Sequence, residues 1–378
     1  MEKWNGPVES LEGLMKRAAV DPHFWRNKKV LVTGHTGFKG SWLCLWLAQM
    51  GAKVTGVALP APTKPSLFSI ANVEDVLARS IMLDIRAREK LIRTIRKERP
   101  QILFHMAAQP LVRDSYKDPV ATYETNVTGT INVFEAVRVT SDTRAVVNVT
   151  TDKCYENLEC RRGYRETDPL GGYDPYSSSK ACSEIVTAAY RRSFFHPDEY
   201  KRHGVAIASA RAGNVIGGGD WARDRLVPDC IRAFKKGEDI VLRHPRAVRP
   251  WQHVLEPISG YLMLAEKLFN DGERFSSAWN FGPEHKDIWS VGEIAKVLCS
   301  LWGGSSRVKI ASGRHVHEAD LLMLDISKAK KQLGWVPQLL VRDALRISMD
   351  WYRVSVEGAD MREFSLQQIS DFRKRGKG

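Results

Sequence analysis

Residues 29–42 read KVLVTGHTGFKGSW, which is an apolar strand followed by a glycine-rich turn and the start of a helix. Gly34, Gly37 and Gly40 give this turn the spacing Gly-x-x-Gly-x-x-Gly. Because glycine tolerates positive φ and close backbone approach, amides at the start of the helix can meet a pyrophosphate. The alternative is a merely tight connection, but the flanking strand and helix favour the nucleotide-binding turn. The stretch therefore predicts a dinucleotide-binding α/β fold.

Strand-like and helix-like segments alternate on both sides of this stretch. The alternation predicts a Rossmann-type, doubly wound parallel sheet covered on both faces, with ligands beyond the carboxyl ends of the strands. After Arg211 the pattern gives way to loops rich in glycine and proline, which predicts a smaller C-terminal substrate-binding lobe. The predicted strands are 29–33, 53–59, 101–106, 145–151 and 205–210, and the predicted helices are 40–50, 86–98, 119–139, 175–194 and 224–236.

The composition is that of an ordinary globular protein, with 43% hydrophobic and 27% charged residues among 378. The net charge of +13 comes from dispersed basic residues, apart from one run at 373–377 that predicts a solvated basic tail. A positive field suits an anionic nucleotide substrate. No nucleic-acid partner is expected, because the basic residues form no other cluster.

The six cysteines show neither a Cys-x-x-Cys pair nor a zinc spacing, which predicts reduced thiols, a cytoplasmic location and no metal. The N-terminal residues contain no apolar signal segment. The most apolar stretch, 42–59, is interrupted by Gln49, Gly51 and Lys53, so no membrane span is expected.

Candidate catalytic residues follow the fourth predicted strand and open the fourth predicted helix. Thr151, Asp152 and Lys153 are consecutive, and Tyr176 and Lys180 form a Tyr-x-x-x-Lys motif. The four-residue spacing puts the tyrosine and lysine on one helix face, where the ammonium can stabilise a phenolate. The grouping suggests redox chemistry coupled to proton transfer. Taken alone, Tyr-x-x-x-Lys also arises by chance, and the Asp-Lys pair could be a salt bridge at a strand end.

Seven stretches together resemble the extended short-chain dehydrogenase/reductases that act on nucleotide sugars, and within them the CDP-glucose 4,6-dehydratases. The resemblance covers roughly residues 24 to 373. The stretches are VTGHTGFKGSW at 32–42, MAAQPLVR at 106–113, TDKCY at 151–155, GGYDPY at 171–176, RAGNVIGGGDW at 211–221, RPWQHV at 249–254 and LGWVP at 333–337.

The resemblance implies conversion of CDP-D-glucose to CDP-4-dehydro-6-deoxy-D-glucose and water, with NAD as cofactor. It implies that Tyr176, assisted by Lys180 and Thr151, takes the proton of the sugar 4-hydroxyl. It implies that Asp152 protonates the leaving 6-hydroxyl and that Lys153 is the base at C5. Related dTDP-glucose enzymes have Asp-Glu where this chain has Asp-Lys.

The resemblance also assigns the cofactor residues. NAD-specific members usually carry a carboxylate at the end of the second strand, and none occurs here between Gly51 and Glu74. NADP is therefore an alternative, with His35, Lys39 or Lys64 as partners of its phosphate. The implied cofactor residues are Gly34, Gly37, Phe38 and Gly40 at the pyrophosphate, Asp84 and Ile85 near adenine, Ala107 and Gln109 beside the ribose, and Asn126 as support for the site backbone.

The implied substrate residues are Asn214, Arg225 and Arg249 at the diphosphate and His317 at the nucleoside, although a lone histidine can equally be a surface residue. The expected assembly is a homodimer or homotetramer. The expected units are an N-terminal extension (1–25), an NAD-binding Rossmann domain (26–210 with about 253–281), a nucleotide-sugar-binding lobe (211–252 and 282–365) and a basic tail (366–378).

Three other functions stay open. A nucleotide-sugar 4-epimerase shares the glycine turn and the Tyr-Lys couple, but generally lacks an ionisable pair after the active-site threonine. A dehydratase acting on another nucleoside-diphosphate hexose would share the whole site. A non-catalytic dinucleotide-binding protein could use the same fold, since fold alone does not fix function.

Overall fold

A seven-stranded parallel sheet forms the centre of the computed structural model, which describes residues 18–140, 142–303, 306–311 and 321–376. The strand order is β11-β6-β5-β4-β1-β2-β3, and every neighbouring pair is parallel. The strands of this sheet are β1 (Lys29–Thr33), β2 (Lys53–Ala58), β3 (Arg79–Met82), β4 (Ile102–His105), β5 (Ala145–Val149), β6 (Ala206–Ala212) and β11 (Ala278–Phe281).

Helices cover both faces of the sheet, and successive strand residues point to opposite faces. On β1, for example, Val30 and Val32 join one apolar cluster, whereas Leu31 joins the other. The helices are α1 (Pro22–Trp25), α2 (Phe38–Gln49), α3 (Leu67–Ile70), α4 (Arg88–Glu98), α5 (Val112–Lys117), α6 (Pro119–Tyr123), α7 (Gly129–Arg138), α8 (Pro175–Ser193), α9 (Tyr200–His203), α10 (Leu226–Lys236), α11 (Leu255–Asn270), α12 (Gly272–Phe275), α13 (Val291–Trp302), α14 (Val341–Val356) and α15 (Met361–Arg375).

The predicted Rossmann-type sheet is confirmed, and all five predicted strands belong to it. The prediction did not include β3, which is short and has exposed ends, or β11, which has only four residues. The helix predicted at 119–139 is divided into α6 and α7 by a wider π-helical turn at Glu124–Thr128. That turn carries Asn126, one of the predicted cofactor residues.

The segment after β6 adds three small strand pairs: β7 (Val215–Ile216) with β10 (Gln252–His253), β9 (Val248–Arg249) with β12 (Trp289–Ser290), and β8 (Ile240–Leu242) with β13 (Val308–Ile310). The prediction of a tail is wrong for residues 366–375, which belong to α15. Ile369 and Phe372 of this helix are buried, and the Phe372 ring lies 5.7 Å from that of Trp46 on α2. Arg373, Lys374 and Arg375 lie in its last turn, where cations complement the helix dipole.

Residues 18–25 pack onto the body of the protein. The Trp25 indole is buried and donates a hydrogen bond of 2.6 Å to Glu266 Oε1 on α11, and the Asp21 amide donates to the same oxygen. Burial raises the pKa of Glu266 to about 8. Within the described part of the chain, no helix combines the length and the apolarity needed to cross a membrane.

Candidate active site

The glycine turn after β1 packs closely against the backbone that follows β4. Gly34 has φ +79°, and a Cβ built there would lie 2.8 Å from the Ala107 amide nitrogen. A Cβ on Gly40 would lie 2.1 Å from the Gly34 carbonyl oxygen, so a side chain at either position would collide with backbone. Helix α2 starts at Phe38 after Gly37, which offers no side-chain cap, so the first amides of the helix face outward. This turn fits the pyrophosphate of a dinucleotide.

Asn126 holds the loop after β4 against α8. Its Oδ1 accepts from the Gln109 amide at 2.9 Å, and its Nδ2 donates to the Gln109 carbonyl and to Ser179 Oγ. The Gln109 side chain folds back into the same loop, where its Nε2 donates to the Leu111 carbonyl and Thr122 Oγ1. The described structure thus gives Asn126 and the Gln109 side chain the role of supporting the loop.

The residues expected at the adenine end follow β3. Hydrogen bonds from Arg86 hold the pKa of Asp84 below its usual value. The Ile85 side chain is buried in the core, where a Cβ on Gly129 would come within 2.5 Å of it. Only the backbone of Ile85 is therefore available to a base.

Two of the three candidate NADP contacts do not fit that role. His35 is buried against Gly56 of β2, its Nε2 lies 2.9 Å from Ser80 Oγ, and burial lowers its pKa to about 4. A neutral buried imidazole offers no charge to a phosphate, so this alternative is wrong for His35. Lys64 is exposed and keeps its position as a candidate.

The Lys39 ammonium lies near the predicted catalytic residues Lys180 and Asp152. Its ammonium lies 5.9 Å from the centroid of the Tyr261 ring on α11. Burial lowers the pKa of Lys39 to about 7, and the nearby Arg225 and Lys180 act in the same direction, whereas Asp152 opposes them. This placement of Lys39 could not be predicted from the sequence, because it depends on how α2 packs against the rest of the fold.

The predicted catalytic tyrosine and lysine meet the end of β5. Tyr176 lies in the first turn of α8, which begins at Pro175 after the capping residue Asp174. Burial raises the pKa of Tyr176 to about 12, and Thr151, placed to hydrogen-bond the phenol, opposes that rise. The Lys180 ammonium donates to the Val149 carbonyl at 3.3 Å, and burial lowers its pKa to about 8. The structure thus brings Thr151, Tyr176 and Lys180 together.

Asp152 is a buried carboxyl group with one oxygen still to be bonded. Only 2% of the residue is exposed, and Oδ1 accepts from Thr151 Oγ1 at 2.9 Å. Among the described residues, Oδ2 has no hydrogen-bond partner. Burial raises the pKa of Asp152, against the opposing effects of Lys153, Thr151 and Arg249. A carboxyl group in this setting can hold a proton and deliver it to a ligand.

Gly213 provides the space that Asp152 occupies. A Cβ on Gly213 would lie 2.6 Å from Asp152 Oδ2 and 2.4 Å from Pro250 Cγ. Gly213 belongs to the motif RAGNVIGGGDW at 211–221, but the motif alone does not predict this role. Lys153, half-buried beside Asp152, completes the short turn Asp152–Cys154 that follows β5.

The predicted substrate residues are placed unevenly. The Arg225 guanidinium donates to Asp220 Oδ2 at 2.9 Å, and its positive charge opposes the rise in the pKa of Tyr176. Arg249 is buried, and its positive charge opposes the rise in the pKa of Asp152. Both arginines therefore lie near the catalytic groups. The Asn214 carbonyl accepts from the Gln252 amide at 3.0 Å. His317 lies outside the described residues.

These groups have complementary chemical capacities. A buried phenol beside an ammonium can take a proton from a hydroxyl, and a buried carboxyl can supply one. In the ranges that the structure describes, no group of three or more His, Cys, Asp or Glu is placed to hold a metal ion.

Several known proteins are similar to this chain. The chain is 51% identical over 353 residues to a CDP-glucose 4,6-dehydratase of Salmonella typhimurium, covering 93% of this chain and 98% of that protein. A dTDP-glucose 4,6-dehydratase of Streptomyces venezuelae, solved with NAD bound, superposes with a TM-score of 0.73 at 26% identity, covering 87% of this chain and 98% of the other. An epimerase of Methanothermobacter thermautotrophicus shares the fold, with a TM-score of 0.76 at 22% identity over 91% of this chain and 97% of the other.

The family assignment comes from a profile that spans most of the chain. The profile describes GDP-mannose 4,6-dehydratases, and it matches residues 31–347. The matched region includes the glycine turn, the Thr151–Lys153 turn and the Tyr176–Lys180 couple. The chain therefore belongs to the GDP-mannose 4,6-dehydratase family.

Proposed function

We propose that this chain converts CDP-D-glucose to CDP-4-dehydro-6-deoxy-D-glucose and water, with NAD as the cofactor. The observation that carries the proposal is the buried Asp152 carboxyl, with one unbonded oxygen, next to Lys153 and the Tyr176–Lys180 couple. The Salmonella dehydratase, similar over nearly its whole length, supports the CDP-glucose assignment.

Oxidation at C4 falls to Tyr176. The phenol accepts the proton of the 4-hydroxyl, and the Lys180 ammonium stabilises the negative charge on the phenolate. Thr151 lies beside the phenol and fixes its direction. The glycine turn of Gly34, Gly37 and Gly40 would hold NAD, which would supply a hydride acceptor for C4 and a hydride donor for C6.

Elimination falls to the Asp152–Lys153 turn. A ketone at C4 makes the proton at C5 acidic, and Lys153 is the base that removes it. Asp152 then protonates the 6-hydroxyl, which leaves as water and leaves a double bond between C5 and C6. When hydride reaches C6, a proton returns to C5 from Lys153, which can exchange it with solvent. The raised pKa of Asp152 suits this role, because the group must carry a proton at the start of the step. Gly213 leaves room for the carboxyl to face the substrate.

The substrate diphosphate is assigned to Arg225, Arg249 and Asn214, with His317 at the nucleoside. A guanidinium offers a permanent charge and a planar donor fork to phosphate oxygens. The Rossmann unit in this proposal is 26–210 with about 253–281, and the remaining residues between 211 and 365 form the lobe that binds the sugar nucleotide. The six cysteines are free thiols, which supports a reducing compartment such as the cytoplasm.

A homodimer or homotetramer is the proposed assembly. Large apolar side chains are exposed on neighbouring helices at Val120 and Tyr123 of α6 and at Ile185 of α8. A second copy of the chain would cover such a surface. Sedimentation of the wild type gives the mass of the particle and so distinguishes the two states.

The path of the hydrogen atoms tests the proposed reaction. CDP-glucose deuterated at C4, turned over in ordinary water, is expected to give a product with deuterium in the methyl group. In D2O, unlabelled substrate is expected to gain one solvent deuteron at C5 and none at C6. NMR of the product reads both positions. Deuterium retained at C4 of a galacto-configured sugar would indicate the epimerase, and solvent deuterium in the methyl group would exclude internal hydride return.

Cofactor choice gives a second expectation: NAD binds more tightly than NADP. His35 is neutral and buried, and Lys39 faces the catalytic side, so only Lys64 remains to meet a 2′-phosphate. Calorimetric titration of the wild type with both dinucleotides measures the difference. Because Lys64 is the remaining candidate partner of that phosphate, Lys64→Met should weaken NADP binding and leave NAD binding unchanged. A tenfold preference for NADP, about 1.4 kcal/mol, would contradict the expectation.

A further inference from the structure

Glu184 extends the face of α8 that carries Tyr176 and Lys180 by one more turn. Residues four apart on a helix lie on one face, so the three side chains point toward the same part of the sheet. That part is the end of β5. The Lys180 ammonium donates to the Val149 carbonyl, and the Thr150 hydroxyl donates to Glu184 Oε1 at 2.5 Å. The last residue of β5 and the residue that follows it are thereby matched to two successive turns of the helix, immediately before the catalytic turn.

The second oxygen of Glu184 bonds β6. Glu184 Oε2 accepts from Ser209 Oγ and from Arg211 Nη2, each at 2.7 Å. Both partners of the ion pair are buried, so water does not compete for these bonds. Strand β6 leads directly to Gly213, which leaves room for Asp152. One carboxylate therefore joins α8 to the carboxyl ends of β5 and β6, next to the catalytic residues.

The same carboxylate places a negative charge near Lys180. Burial lowers the pKa of Lys180 to about 8, while Glu184 and Cys154 act to raise it. The other titratable groups that sense Lys180 are Lys39 on α2 and His105 on β4. His105 is itself buried and its pKa is lowered to about 3, so it carries no charge at neutral pH. Glu184 is thus the anion among these groups that favours the ammonium form of Lys180.

We propose that Glu184 is a positioning residue of the reaction, whose carboxylate keeps the end of β5 in register with α8 and supplies the negative charge beside Lys180. It touches no substrate, since it is buried and its oxygens bond the protein's own hydroxyl and guanidinium groups. The inference rests on the proposed function, because it concerns proton removal by Tyr176 with the help of Lys180.

Glu184→Gln tests the charge. Turnover is expected to fall by about 10- to 100-fold, the scale of a small misplacement of catalytic groups, whereas KM for CDP-glucose stays near the wild-type value. Without the carboxylate, Lys180 loses its proton at lower pH and the Tyr176 phenolate forms at higher pH. The pH range over which kcat is high is therefore expected to become narrower, because its acid limit rises and its alkaline limit falls. A purely structural defect would not move these limits.

Glu135→Gln is the matched control. Glu135 lies on α7 and is bonded by Arg138 and by the Tyr190 hydroxyl of α8, so the variant removes another hydrogen-bonded carboxylate beside the same helix. Its kcat and pH profile should match those of the wild type.

Thr150→Val covers the case in which Glu184→Gln does not fold because the Arg211 charge is left unpaired. This variant keeps the ion pair and removes only the hydrogen bond from Thr150, the residue that follows β5, to Glu184. It is expected to lower kcat by about tenfold, with KM little changed. Wild-type kcat and pH profile in Thr150→Val, and in Glu184→Gln wherever it folds, would overturn the inference.

The substrate question can be separated from this test. All variants are compared on the nucleoside-diphosphate glucose that the wild type turns over. A wild type that ignores CDP-glucose but dehydrates another such sugar contradicts the proposed substrate, whereas the comparison of Glu184 variants is still read on the accepted sugar.

Discussion

Tyr176→Phe is expected to lower turnover by about 10²- to 10⁴-fold, the usual contribution of one positioned acid-base group. The substitution removes the hydroxyl that accepts the sugar proton and leaves the ring in the first turn of α8. Since the ring still fills its place, circular dichroism and the thermal midpoint should stay close to wild type. Steady-state formation of the 4-keto sugar, followed by its ultraviolet absorbance in base, measures the loss.

The control for this variant lies on the same helix. Tyr190 bonds Glu135 through its hydroxyl, away from the end of β5. Tyr190→Phe removes a hydroxyl of the same kind and is expected to keep wild-type turnover. Unchanged turnover in Tyr176→Phe would exclude this tyrosine as the base for the 4-hydroxyl.

Lys153→Met is expected to separate oxidation from elimination. The variant keeps Tyr176 and Lys180, so C4 can still be oxidised, but no base remains for the proton at C5. Formation of the dehydrated product should fall by about 10²- to 10⁴-fold. The near-ultraviolet absorbance of a reduced nicotinamide should meanwhile rise toward one equivalent per site. Rapid mixing of enzyme and CDP-glucose records both signals, and Asp152→Asn should behave similarly.

The matched control is Lys201→Met, which changes an exposed lysine on α9. It should dehydrate CDP-glucose like the wild type without accumulating the absorbance. Wild-type dehydration by Lys153→Met would mean that another residue is the C5 base.

Much of the fold was predictable because its signals are local. The strands β1 (KVLVT) and β5 (AVVNV) are mostly apolar and buried, and the spacing of the glycines identifies Gly34 as a position that needs positive φ. The meeting of the Thr151 turn with Tyr176 also followed, since parallel strands end at one edge of a sheet and the helix after β5 returns across it. Strand β3 (RSIM) has only two apolar residues, and β11 (AWNF) has only four residues, so neither gives such a signal.

The remaining features depend on which ionisable groups become buried. His35 reads as a cation in the glycine turn, yet the close approach of Gly56 encloses it and leaves it neutral. The basic run near the C-terminus reads as a tail, yet Phe372 precedes it and anchors the helix against Trp46. Residue 213 has to be a glycine because the Asp152 carboxyl, from a segment some sixty residues earlier, lies where a Cβ would be. No local pattern records such approaches.

The packing of α15 on α2 has a consequence for the order of biosynthesis. Helix α2, which begins at the glycine turn, leaves the ribosome well before the helix that covers it. Gln49 of α2 donates to the Leu366 carbonyl of α15 across a separation of 317 residues. Contacts this distant in sequence form late and slow folding. The apolar side of α2, including Trp46, thus stays uncovered until α15 has been synthesised, so a nascent chain would need protection there in the meantime.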